Sequence, residues 1–447
     1  MAWKAWVKKD HRQKRQLAGK HDVRDEFAQD RDRILYSNAF MRLARITQIV
    51  KSDDAGIFHT RLTHTLKVAQ LGRRLAEYLL ATDPKNCARL GVHPEVVEAA
   101  CLAHDLGHPP FGHAAEKELD RLVVSAGDRD GYEGNPQAFR ILTKLTRRFP
   151  EMPGLNLTRA TLCSVVKYPW ARNNGHKKKA IKFGYYKTEK SDFEFCRDGC
   201  PGEQRSAEAE IMDWADDIAY SVHDIEEFHK CNAVPWYRIF PSTFDKDSLP
   251  ESVEQLIERA NESWYGRPEK STDILARAAT ALADIFHAAP TNIVYTPYDG
   301  LPEQRIALKQ LSSQLVRSVV LGIKLRSTDV AGKEASVVEI DSDKRAQVML
   351  LKQITRDYIV NNPSLAAQQH GQKKIVQDLF SDFVEDLKKG LPTFIPVKFR
   401  HLVDDGETSP ARAAADAVSS LSEVEAIALH RRLRGYDGGS MLDPIVR

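Results

Sequence analysis

Apolar positions recur at spacings of three and four through most of the chain, and strict alternation is nearly absent. Between Leu62 and Leu80, positions 64, 68, 71, 75 and 79 fall on one helix face. Val68, Leu71, Leu75 and Leu79 are apolar, and the leading position is His64. Pro94 suits a first helical turn. Val96, Val97, Ala100 and Cys101 continue that helix, which runs to Leu106 with His104-Asp105 at its end, ahead of Gly107. From Ile211 to Phe228, residues Ile211, Ala215, Ile218, Val222 and Ile225 repeat at four, three, four and three. Gly127 to Arg205 breaks the rhythm with Asn-Gly, Pro-Trp, Phe-Gly and Pro-Gly pairs and reads as a long irregular region. A connection of that length is more often functional than inert.

Pro235 to Pro250 reads as a connection. Beyond it the pattern predicts helices over Ser252–Arg259, Asp273–Ala288, Glu303–Leu325, Lys344–Val360 and Lys373–Leu387, with one strand candidate at Ser336–Asp341. No internal repeat is present. The expected fold class is all-α, mostly helical, in three stretches. Residues 1–30 carry basic clusters (Lys8, Lys9, Arg12, Lys14, Arg15) and read as a partly mobile basic arm. Residues 31–234 form the site-bearing helical part, with an insertion at about 127–205, and residues 235–447 a helical C-terminal part.

The chain has 447 residues, enough for two or three domains at about 150 residues each. Hydrophobic residues at 42% and charged residues at 28% exclude a disordered chain. A net charge of only +3 excludes a polycation, so any anion needs a local basic patch. No apolar run is long enough for a membrane span, and Met1 to Lys20 lacks the apolar core of a secretory signal. The six cysteines are sparse, which fits a reducing cytoplasm. Cys196 and Cys200 have no second Cys or His pair nearby in sequence and read as free loop thiols. The basic run His176–Lys179 reads as a solvated loop. The absence of a Walker-type glycine loop argues against an ATPase.

Chemistry concentrates at His104-Asp105-Leu-Gly-His108-Pro-Pro-Phe-Gly-His113-Ala-Ala-Glu116. A lone His-Asp pair is more often a solvated helix end, where an imidazole favours the negative dipole. His64 alone is more often a buried neutral ring with one backbone partner. Asp216, Tyr220 and Asp224, four apart, share one helix face that alone reads as solvated and acidic. Together the three helices supply two imidazoles and two carboxylates. That donor set suits one divalent ion with positions left open for water and substrate oxygens.

The order His64…His104-Asp105…Asp216 resembles the HD superfamily of metal-dependent phosphohydrolases. Closer still, several stretches resemble the deoxyguanosine triphosphate triphosphohydrolases. They are Arg31-Asp-Arg-Ile, Arg42-Leu-Ala-Arg-Ile-Thr-Gln48, Thr60-Arg-Leu-Thr-His64, the His104–His113 block, Tyr132-Glu-Gly-Asn-Pro-Gln-Ala-Phe139, Lys167-Tyr-Pro169 and Ala215-Asp-Asp-Ile-Ala-Tyr220. Leu351-Lys-Gln-Ile and Ser364-Leu-Ala-Ala-Gln-Gln-His-Gly371 resemble the accessory domain of the type 2-like branch. The resemblance covers nearly the whole chain and implies an HD-domain helical bundle with a helical C-terminal accessory domain. It implies hydrolysis of a deoxynucleoside triphosphate at the α-phosphorus to deoxynucleoside and triphosphate. Carried over, His64, His104, Asp105 and Asp216 are the metal ligands, for one divalent ion (Mn, Mg, Co, Ni, Fe or Zn). His113 and Glu116 match a catalytic pair. Arg61, His108, Asn135, Lys167 and Tyr168 match phosphate-contacting positions, Gln48 a sugar-edge contact, Tyr220 the ring on the sugar and Asp224 the acceptor of the 3′-hydroxyl. A homo-oligomer is implied, and a second dNTP as activator and single-stranded DNA are admitted as partners. The alternatives are another HD nucleotidase or phosphodiesterase, or a catalytically silent nucleotide- or single-stranded-DNA-binding protein.

Overall fold

The computed structural model describes residues 6–17, 22–48, 60–241, 249–262, 271–290, 293–326, 336–389, 393–396, 399, 402, 406 and 408–438. The expected all-α class holds: helices dominate, and the sole sheet among the described residues has two short strands.

Near the N-terminus, α1 (Glu26–Leu35) starts at an Asp25 cap whose side chain accepts from the Phe27 amide. The stripe led by His64 forms α2 (Arg61–Thr82), capped by the Thr60 hydroxyl. Helix α3 (Pro94–Ala103) opens on its proline and stops earlier than expected, so that His104 is its C-cap. Next come α4 (Gly112–Ser125), α5 (Gly134–Arg140), α6 (Arg159–Val165) and α7 (Lys190–Arg197). Three of these lie inside the stretch expected to be irregular. They are 7, 7 and 8 residues long, too short to print a periodicity. Helix α8 (Ala207–Lys230) is capped by Ser206.

In the C-terminal half are α9 (Glu251–Glu262), α10 (Ser271–His287) and α11 (Pro302–Val320). The helix expected to reach Leu325 ends at Val320. Ile323–Leu325 instead forms β1, antiparallel to β2 (Val338–Ile340), with Lys324 opposite Glu339. Helices α12 (Ser342–Thr355), α13 (Pro363–Lys388), α14 (Pro410–Ser420) and α15 (Glu423–Leu433) follow.

Helices α2, α3 and α8 pack on one another. Gly72 marks where they meet: a β-carbon there would sit 2.5 Å from the Cys101 sulfur and 3.5 Å from the Ala215 methyl. Those neighbours lie three residues before His104 and one before Asp216, so the same close packing sets the site. One apolar cluster runs from Trp6 through these helices to Ile359, across the expected boundary at 234/235. A second joins α4 (Leu119, Val123) to α13 and α14 (Leu379, Phe383, Val418). The C-terminal helices therefore return to cover the far face of the site helix α4.

The described part of the expected mobile arm is packed. Trp6 is fully buried. Arg12 pairs with buried Glu208 at 2.5 Å, and Arg15 with buried Asp30 at 2.5 Å. These two arginines answer interior carboxylates, whereas Lys8, Lys9 and Lys14 are exposed. Among the described residues no helix is long and apolar enough to cross a membrane.

Candidate metal centre and its surroundings

His64 projects from the first turns of α2, His104 and Asp105 from the end of α3, and Asp216 from α8. His64 Nε2 lies 3.1 Å from Asp216 Oδ1. His104 Nε2 lies 3.5 Å from both Asp105 Oδ1 and Asp216 Oδ1. His64, His104 and Asp105 each offer a donor atom within 4.8 Å of the others. His104 Nδ1 is 2.6 Å from the Cys101 carbonyl, which fixes the ring and turns Nε2 toward the carboxylates. That Nε2 is buried with no hydrogen-bond partner among the described residues.

Burial would lower the His104 pKa, but Asp105 and Asp216 outweigh it and raise it to about 9. Burial would raise Asp105; His104, Arg61 and His108 hold it well below the usual carboxylate range. Asp216 is held down likewise, chiefly by His104. Two ionised carboxylates beside an unpartnered imidazole nitrogen fit a divalent cation in both charge and donor type. Asp217 faces elsewhere and pairs with Lys352 of α12.

His113 Nδ1 lies 2.8 Å from Glu116 Oε2, and Glu116 Oε1 accepts from the Gly134 amide at 3.1 Å. The His113 side chain is 67% exposed while Glu116 is nearly buried, so the ring is held from below and open to solvent above. Burial would raise Glu116; His113, His108 and Lys182 pull it below its ordinary value. His108 lies beside Asp105, with Nδ1 3.0 Å from Oδ1. Burial and Arg61 depress it to about 4, so it is neutral at pH 7. His108, His113 and Glu116 form a second tight group.

Arg61, buried, donates to Asp105 at 2.8 Å. Lys167 Nζ lies 2.6 Å from Asp213, one turn before Asp216, and Arg205 shares that carboxylate at 2.7 Å. Burial would lower Lys167; Asp213, Tyr168, Asp216 and Asp217 keep it charged. Tyr168 lines a cavity of about 220 Å³ with Lys167, Trp170 and Lys178. Tyr220 and Asp224 follow Asp216 along α8, with the Lys352 ammonium 5.6 Å from the Tyr220 ring centre. Asp224 is buried and its Oδ2 has no partner among the described residues. Burial, Glu227 and Asp216 push its pKa well up.

The Asn135 side chain is bonded to Glu133, at 2.8 and 2.9 Å. Gln48 is half-buried with its amide oxygen unpartnered among the described residues. Sequence reasoning gave no site role to Lys182, which lies 2.5 Å from Glu133 and 3.8 Å from Glu116 and sits in no motif, nor to Lys352, which was legible only as part of the Leu351-Lys-Gln-Ile stretch. Cys196 and Cys200 are free, as expected, but Cys196 is buried on α7 rather than placed in a loop, and Cys200 Sγ lies 3.6 Å from Cys163 Sγ.

Residues 61–221 match the HD domain family, and residues 338–432 match the phosphohydrolase-associated domain. A deoxyguanosinetriphosphate triphosphohydrolase-like protein of Streptomyces coelicolor is 34% identical, over 93% of this chain and 94% of that protein. One from Bifidobacterium longum is 34% identical, over 92% and 83% respectively. One from Vibrio vulnificus is 27% identical, over 92% and 93%. The two domain matches fall on the helices that carry the site and on those that return to cover it, and with these relatives they establish that the chain belongs to the deoxyguanosinetriphosphate triphosphohydrolase-like family of HD-domain phosphohydrolases.

Proposed function

We propose that the protein hydrolyses deoxynucleoside triphosphates, dGTP or several dNTPs, at the α-phosphorus, releasing deoxynucleoside and triphosphate. The convergence of His64, His104, Asp105 and Asp216 from three helices carries this reading. These four residues would hold one divalent ion, which when bound would supply Lewis-acid polarisation of a phosphoryl oxygen. Arg61 and Lys167 offset the charge of the polyphosphate, where preorganised donors act most strongly on charge that grows in the transition state. His113 Nε2 delivers a proton to the departing sugar oxygen, and Glu116 on Nδ1 orients the ring. Tyr220 packs on the sugar and leaves no room for a 2′-hydroxyl, while the unpartnered oxygen of Asp224 meets the 3′-hydroxyl.

Product analysis tests this. The protein is incubated with each dNTP and NTP, singly and mixed, under Mn²⁺, Mg²⁺, Co²⁺, Ni²⁺, Fe²⁺ or Zn²⁺. Inorganic triphosphate in step with deoxynucleoside supports the reading; orthophosphate or pyrophosphate assigns the site to another HD phosphohydrolase. His113→Ala loses most turnover, and Tyr220→Ala narrows the gap between dNTP and NTP. Near-full turnover in the first variant, or equal losses for both substrates in the second, removes those roles. Light scattering with and without added dNTP tests the homo-oligomer that the family likeness implies.

A further inference from the structure

The C-terminal helices meet the site-bearing part through one buried charge, Glu423, and one half-buried charge, Arg42. Glu423 opens α15 and is 5% exposed. Its Oε1 accepts from the Thr47 amide at 2.8 Å and the Phe111 amide at 3.3 Å, and its Oε2 from the Thr47 hydroxyl at 2.7 Å. Thr47 bridges Thr60, the cap of α2, and Ile46 accepts from the Arg61 amide at 2.9 Å. The grip on Thr47 therefore extends to Arg61 and, through it, to Asp105. Phe111, at φ +69°, sits two residues before His113. A side-chain-bearing residue holds that left-handed conformation only where its surroundings fix it, and the Glu423 bond is part of that fixing.

Arg42 makes the reciprocal link. It donates to the Leu421 carbonyl at 3.1 Å and to the Leu106 and His108 carbonyls at 2.9 and 2.8 Å. Burial pushes its pKa down to about 10. A buried carboxylate and a half-buried guanidinium set on backbone groups are expensive as filler, since apolar side chains of similar volume pack without the desolvation cost.

We propose that Glu423 is a positioning residue: it fixes the separation between Ile46–Thr47, to which Thr60 and Arg61 are bridged, and the turn that delivers His113. Its effect on turnover rests on the dNTP hydrolysis described above; its effect on the turn does not. The test compares wild type, Glu423→Ala, Glu423→Gln and Thr47→Val in the full chain. Amide exchange across residues 106–113 is followed without nucleotide, and kcat and KM are measured with Mn²⁺ and the best dNTP. Glu423→Ala speeds exchange at Phe111 at least about tenfold and lowers kcat by about tenfold to a hundredfold, with KM within about threefold. Glu423→Gln keeps an acceptor oxygen and recovers most of kcat. Wild-type exchange and kcat in Glu423→Ala, or a Gln variant no better than Ala, overturns the proposal. Should Glu423→Ala not fold, Thr47→Val, which deletes one bond, decides: a several-fold loss of kcat supports the clamp and an unchanged kcat rejects it. If wild type hydrolyses no dNTP, the functional reading fails and exchange alone judges the clamp.

Discussion

At the scale of single residues, Asp216 and Asp217 stand side by side on α8 and do different work. A helix turns about 100° between neighbours, so only one of them can face His64. Asp216 does, at 3.1 Å; Asp217 takes Lys352. The four-residue spacing of Asp216, Tyr220 and Asp224 made the shared face legible, but the partner of Asp217 comes from a helix far along the chain and was not. Asp216→Asn is expected to lower divalent-ion affinity and turnover about a hundredfold or more, with Asp217→Asn within about threefold of wild type in ion affinity. Calorimetric titration with Mn²⁺ checks both. His229, buried on α8 with Nε2 unpartnered among the described residues, is depressed to about 4 by burial and Lys230. Its native form is neutral, so the unfolded chain takes up the proton first as pH falls below about 6.5. Stability is then lost toward about pH 4, by at most about 1.4 kcal/mol per pH unit. Wild type should lose more stability than His229→Leu between pH 7 and pH 5 in denaturant melts; parallel losses would contradict this.

At the scale of elements, the long periodic helices α2 and α8 were legible because their buried stripes run over many turns. The turn after α3 was legible only in its chemistry. Gly107 read as a helix stop, yet it is also a point of contact: a β-carbon there would meet the Gly134 carbonyl oxygen at 2.0 Å. Tyr132 donates to the Gly107 carbonyl at 2.7 Å, tying the same turn to the start of α5. Gly107→Ala should force the turn and α5 apart, costing about 1–3 kcal/mol in chemical denaturation and lowering turnover. A variant with wild-type stability would mean that the turn yields freely. The end of α11 escaped the pattern because β1 follows it closely, and Ile323, Lys324 and Leu325 continue an apolar spacing that suits either conformation until β2 pairs with it.

At the scale of the molecule, the C-terminal helices are locked to the site-bearing part by charges that no local pattern reveals. Arg140 is fully buried between Asp416 of α14 and Glu189, at 2.8 and 2.5 Å, and Gln137 donates to Asp416 at 2.9 Å. Arg140 and Asp416 are 276 residues apart in sequence, which is why the expected division at 234/235 follows the Pro235–Pro250 connection rather than the packing. Asp416→Ala leaves Arg140 one carboxylate short and should cost about 3–5 kcal/mol of stability. A guanidinium chloride midpoint equal to wild type would show that the network adds nothing. Helices α13 and α14 pack on α4 and so hold His113 and Glu116, the proposed proton donor and its partner, near the proposed metal ligands: the His113 ring centre lies 5.0 Å from that of His108, which sits beside Asp105. The reaction proposed for them is tested most directly by hydrolysing a dNTP in oxygen-18 water with the divalent ion present. The account predicts label in the released triphosphate and none in the deoxynucleoside. Label in orthophosphate, pyrophosphate or the sugar hydroxyl would contradict it.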